Sequence, residues 1–169
     1  MAKKNKIDLW SLIIFGVLVV SLIMVIVGVC IAWTSTTVTL LSKDSVSTTT
    51  LAKWAESNSK VEDGIDGFGA MAAFAYITLA LAALTAILFV VSKFVNVKIM
   101  KWALLAVSAL LVVSAIITIA LTYSFGGKLS NSDLGEFASG KTAPAAGAWL
   151  ASIFGIVGGA AGSVGALKK

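Results

Sequence analysis

Apolar positions along this chain come in four long runs, and the polar positions gather between them. Residues 9–42, 67–92, 102–127 and 142–167 contain no Asp, Glu, Lys or Arg. At about 1.5 Å per residue, a run of about 26 residues reaches about 39 Å, enough to cross a hydrocarbon core of about 30 Å with some tilt. In the first run the apolar part ends at Trp33, and Thr34, Ser35, Thr36 and Thr37 follow. The pattern predicts four transmembrane helices near 9–33, 68–92, 102–124 and 145–166. Backbone groups in lipid need internal partners, so spans of this length are helical. The first run, at about 25 residues, exceeds the apolar core of a cleaved signal peptide, about 7–15. It is expected to stay as a membrane span.

The connections are unequal. The stretch 93–101 is short, so the second and third helices are expected to be antiparallel neighbours. The stretch 34–66 is long enough to fold. Residues 36–41 and 46–50 are rich in β-branched types, and Ser42, Lys43, Asp44 and Ser45 lie between them. This predicts a β-hairpin with its turn at 42–45. A short helix is expected over 51–63, ended by Gly64. Residues 125–142 are rich in Gly and Ser and are expected to be irregular.

Composition turns this pattern into a class. Hydrophobic residues make up 59% and charged residues 12%, against about 45–50% and about 25% in soluble domains. A soluble domain this small has too much surface to hide so much apolar area. The fold class expected is an all-α membrane protein: a left-handed, antiparallel four-helix bundle with a small β-hairpin or sheet in its first outer loop.

Charge then orients the bundle. Lys3, Lys4, Lys6, Lys93, Lys98, Lys101, Lys168 and Lys169 fall on one side. Lys43, Lys53, Lys60, Lys128 and Lys141 are spread over the longer loops of the other, with all the acidic residues except Asp8. The positive-inside rule places both termini in the cytoplasm, loop 93–101 inside, and loops 34–66 and 125–142 outside the plasma membrane. Trp10, Phe94 and Trp102 then fall at the inner interface. Trp33, Phe68, Tyr123, Phe125 and Trp149 fall at the outer one, as an aromatic belt would.

The strongest local motif is in the fourth span. Gly147, Ala151, Gly155, Gly159 and Ser163 recur every four residues, and Gly158, Gly162 and Ala166 form a second ridge beside them. Small residues at this spacing let a neighbouring backbone approach closely. The ridges serve either packing inside the bundle or an interface with another subunit.

Candidate chemistry is scarce. The chain has no His and no Arg, and Cys30 is its one cysteine. No Asp, Glu, Lys or Arg lies within the spans, where a charge costs about 2.5–3.5 kcal/mol and is kept mainly for function. The hydroxyls of Ser11, Ser21, Thr78, Thr85, Ser108, Ser114, Thr118 and Ser152 can bond to their own helix carbonyls. Glu62, Asp63 and Asp66 cluster before the second span without the spacing of a calcium loop. No enzyme activity, cofactor, metal or nucleic-acid partner is expected. The partners expected are the lipid bilayer and another membrane protein or a second copy.

Four spans, cytoplasmic termini, a long, partly β first outer loop and a short inner loop together resemble the claudin-like tetraspan superfamily. Trp33 and Trp54 stand where that family has two loop tryptophans. Leu51-Ala52-Lys53-Trp54 replaces its Gly-Leu-Trp, and its two loop cysteines are absent. The resemblance implies a small extracellular sheet capping the bundle and action through contact, with Trp33 and Trp54 as outer-loop contact residues. The function expected is a structural, scaffold or accessory subunit of a membrane assembly; the alternative is a small channel or transporter component.

Overall fold

The structure is a computed structural model that describes residues 8–40, 43–60, 65, 67–95, 97–130 and 138–167. Its elements are α1 (Leu9–Cys30), β1 (Ala32–Leu40), β2 (Lys43–Thr50), α2 (Leu51–Ser59), α3 (Phe68–Phe94), α4 (Lys98–Ser130), β3 (Ala138–Pro144) and α5 (Ala146–Leu167). Four of these helices, α1, α3, α4 and α5, are long and apolar enough to cross a membrane. The chain is a multi-pass membrane protein: an antiparallel four-helix bundle with a three-stranded antiparallel sheet at one end.

Buried positions alternate in steps of three and four. On α1 they are Ile14, Leu18, Ser21, Val25 and Gly28. On α3 they include Phe68, Met71, Ala75, Thr78, Ala82, Thr85 and Phe89. On α4 they include Leu104, Ser108, Leu111, Ala115, Thr118 and Phe125. This spacing of about 3.5 residues is the seam of left-handed helix packing. Side-chain size separates inside from outside here. The seam is rich in Gly, Ala, Ser and Thr, whereas Ile13, Val20, Ile23, Leu84, Ile87, Leu110, Ile116 and Ile153 face outward.

The helix α5 is the hub, packing most extensively on α4 and α1 and also meeting α3. Its glycines make this possible. A methyl group placed on Gly147 would lie 2.5 Å from the Gly28 carbonyl oxygen and 2.7 Å from that of Ala32. One on Gly159 would lie 2.5 Å from Val112 Cγ2 and 2.7 Å from the Ser108 carbonyl oxygen. One on Gly155 would lie 2.8 Å from Ala115 Cβ. The backbones of α1 and α4 thus press directly on α5. Rising numbers on α5 meet falling numbers on both neighbours, which fixes the antiparallel arrangement.

Several sequence expectations shift. The first helix ends at Cys30 rather than near 33, because Ile31 is extended and the chain enters β1. Trp33 is therefore a strand residue. The third span begins at Lys98 and continues to Ser130, through Gly126 and Gly127, which read as loop in the sequence. The stretch 125–142 is thus helical at its start and a strand at its end, and residues 131–137 lie outside the described residues. The hairpin forms, but Lys43, Asp44 and Ser45 belong to β2, and 41–42 lie outside the described residues. The short helix forms over Leu51–Ser59, with the Thr50 hydroxyl accepting from the Lys53 backbone N–H at 3.3 Å. Residues 61–64, including Glu62, Asp63 and Gly64, and also Asp66, lie outside the described residues.

Gly159→Ala should cost about 1–3 kcal/mol by overpacking against α4. Gly16→Ala, where a methyl group meets nothing within 4 Å, should be neutral or stabilising by up to about 1 kcal/mol, because glycine is a poor helix former. Thermal unfolding of both variants in the same detergent checks the contrast.

Candidate functional site

The sheet end of the molecule is built on a cluster of aromatic residues. Trp33 from β1, Leu51 from α2, Phe68 and Met71 from α3, Phe125 from α4 and Ala148 and Ala151 from α5 are buried together, with Trp54 packed against them. Trp54 meets Phe125 edge to face at 5.1 Å between centroids, and Phe68 lies 6.3 Å from Phe125. The Trp54 indole N–H donates to the Thr34 hydroxyl at 2.7 Å. These contacts tie α2 and β1 to the ends of α3 and α4. Their geometry suits the ring quadrupole, worth about 0.5–1.5 kcal/mol per pair beyond burial.

On this base stands the sheet, in the order β2-β1-β3. The Ala145 backbone N–H donates to the Trp33 carbonyl at 2.9 Å. Hydrogen-bonded pairs alternate along an antiparallel ladder. Ser35, Thr37 and Thr39 therefore turn their backbone groups to β3, and Thr34, Thr36, Val38 and Leu40 turn theirs to β2. Lys43, Ser45, Ser47 and Thr49 answer from β2. The backbone groups of Asp44, Val46 and Thr48 point away from the sheet.

The two edges are treated differently. On β3, Gly140 and Thr142 face outward, and the outward position of Pro144 has no N–H to satisfy. The extended end of α4 lies along this edge, because Gly126 leaves room for the Thr142 carbonyl where a side chain would collide with it. On β2, Asp44 to Thr48 are exposed on both faces. Within the sheet, hydroxyls pair across strands: Thr36 Oγ1 lies 3.1 Å from Thr142 Oγ1, and Thr39 donates to Asp44 Oδ1 at 2.7 Å.

The bundle interior offers, among the described residues, hydroxyls and, at its sheet end, the unpartnered indole N–H of Trp33. Among the described residues, the buried polar side chains are Ser21, Thr34, Thr78, Thr85, Ser108, Ser114, Thr118, Thr122 and Ser152. The Thr78 hydroxyl lies 2.7 Å from that of Ser114 and 2.9 Å from that of Thr118. Thr78, Thr85, Thr118 and Thr122 each donate to the carbonyl four residues back. The hydroxyls of Ser21, Ser108 and Ser152 have no partner among the described residues. Neither do the described residues contain a His, Cys, Asp and Glu grouping able to hold a metal ion.

The expected site residues divide. Gly147, Ala151, Gly155, Gly158, Gly159 and Gly162 are buried inside the chain, and Ser163 is half-buried with its hydroxyl on the Gly159 carbonyl at 2.9 Å. The glycines of both ridges thus pack against α1, α3 and α4 within the chain. Trp33 is fully buried, so the expectation of an outer contact there is corrected: it is the anchor under the sheet. Trp54 is half-buried and held by Thr34. Phe68 and Phe125 are also core, while Tyr123 and Trp149 stay exposed and meet edge to face at 6.1 Å. No described element covers the outer edge of β2, and the sequence does not mark it, because the central β1 is equally free of Pro and Gly. No protein-family model matches the chain, and none of the curated proteins matches it.

Trp33→Ala should destabilise the protein by about 3–5 kcal/mol, as expected for removing a fully buried aromatic side chain. Val46→Ala, at an exposed position, should stay within about 0.5 kcal/mol. Chemical denaturation in detergent, followed by the fluorescence of the remaining tryptophans, checks both.

Proposed function

We propose that this protein is a non-enzymatic plasma-membrane protein that works by protein–protein contact, as a structural or accessory subunit of a membrane assembly. The observation that carries this reading is the division of labour between the two ends of the fold. The bundle spends its small residues on internal packing, and among the described residues its buried polar groups are hydroxyls and the Trp33 indole N–H. The sheet, by contrast, is a polar surface rigidly mounted on an aromatic base. The lysine distribution supports cytoplasmic termini and an external sheet. The claudin-like layout supports the same reading, with Trp33 and Trp54 beneath and beside the sheet.

A second reading, a small channel or transporter component, draws on Ser21, Ser108 and Ser152, whose unpartnered hydroxyls would suit a hydrated path. Reconstitution separates the two. Proteoliposomes should show no selective solute or ion flux above empty vesicles, and crosslinking in native membranes should capture a defined partner. Selective flux would overturn the interaction reading. The orientation has its own check: Thr48→Cys in a Cys30→Ser background should react with a membrane-impermeant maleimide added outside intact cells.

A further inference from the structure

We propose that the free edge of β2 pairs with β2 of a second copy of this chain, antiparallel and centred on Val46. This rests on the interaction reading above and names its partner. The edge is prepared for pairing: Asp44, Val46 and Thr48 direct their N–H and C=O groups outward, and no described element covers them. Folded proteins usually blunt such an edge with a bulge, a proline, charges or a covering helix. Here the opposite edge has both Pro144 and α4, while the register of β2 against Thr34 to Leu40 runs without a bulge.

The strand is complementary to itself. With the two-fold axis at Val46, that residue faces its own copy, Ser45 faces Ser47, and Asp44 faces Thr48. Val46 is 65% exposed, and the pairing brings two of these β-branched side chains together. The Asp44–Thr48 pair repeats the Thr39–Asp44 contact already used in the sheet, and the second carboxylate oxygen of Asp44 is available to accept it. The two copies of Asp44 lie at opposite ends of the pairing, so they do not face each other. A closed two-fold contact of this kind uses one patch on both copies. It yields a continuous six-stranded sheet in the order β3-β1-β2-β2-β1-β3.

The test uses the full chain in membranes, in a Cys30→Ser background. At the symmetry axis the two Val46 Cα atoms would be about 5.5 Å apart, inside the disulfide window of about 4.4–6.8 Å. The two Thr48 Cα atoms would be about 14 Å apart, four residues out of register. Under copper-phenanthroline oxidation, Val46→Cys should form covalent dimer at least about tenfold faster than Thr48→Cys. Adding Thr48→Pro, which removes an outward N–H and leaves the β1 ladder intact, should suppress that dimer. If thermal unfolding shows that Thr48→Pro disrupts the fold, Val46→Lys in the chain without the Val46 cysteine should reduce its dimer content, measured by light scattering in mild detergent, in its place. Equal rates at the two cysteine positions, or dimer untouched by both edge variants, would overturn the pairing. Capture of a different protein alongside equal rates rejects the pairing and leaves the interaction reading standing. Selective flux alongside the expected crosslink rejects that reading and leaves the pairing.

Discussion

Direct backbone contact between α5 and its neighbours is what the rest of this structure depends on. In hydrocarbon there is no solvent-driven reason for one apolar helix to prefer another over lipid, so association rests on close packing. Dispersion contacts are individually about 0.1–0.2 kcal/mol and fall away with small gaps, so a close approach matters more than apolar area. Gly147, Gly155, Gly158, Gly159, Gly162 and Gly165 remove the side chains that would hold α5 away from α1, α3 and α4. The seam on the facing helices is matched, with Gly28 against Gly147 and Ala151, and Ala115 against Gly155. Many of the larger aliphatic side chains, Ile13, Val20, Ile23, Leu84 and Ile116 among them, face outward instead.

The sheet follows from the same economy of space. The chain leaves α1 at Cys30 and turns Trp33 into the end of the bundle, where Phe68, Phe125 and Leu51 close around it. That burial sets the direction of β1, and β1 as the central strand sets both neighbours. Gly126 then repeats at the sheet what the α5 glycines do in the bundle, admitting the Thr142 carbonyl against α4. One side of the cap is thereby sealed by helix, and among the described residues nothing covers the edge of β2.

Much of this was legible in the sequence, because membrane spans announce themselves by length and by the absence of charge. The four helices, the hairpin and the short helix after it were all legible. Boundaries near the cap were less so. Trp33 looked like an interfacial anchor because hydropathy cannot tell an aromatic residue at the lipid surface from one in a core. Gly126 and Gly127 looked like a loop because glycine is a poor helix former; the buried Phe125 and the strand packed beside them hold the helix there. The role of the α5 ridges was open in the sequence, since small residues at this spacing suit internal and external partners equally. Internal packing shows in Gly28 of α1, whose meaning appears only once it is set against Gly147. The third strand was hidden because its pairing partner lies far away in the chain, with Thr36 and Thr142 separated by 106 positions.

That separation has a consequence for how the protein comes to be made. The pieces that close the fold, β3 and α5, follow the other six elements in chain order. Until α5 is made, α3 can pack on α4 and α1, but the faces that α5 covers have no partner from it. The hairpin meanwhile stands with both its edges unpaired. Contacts so distant in sequence form slowly, since loop-closure entropy is lost before they form. The contacts that seat α5 and pair β3 with β1 can therefore form only after the other six elements have been made.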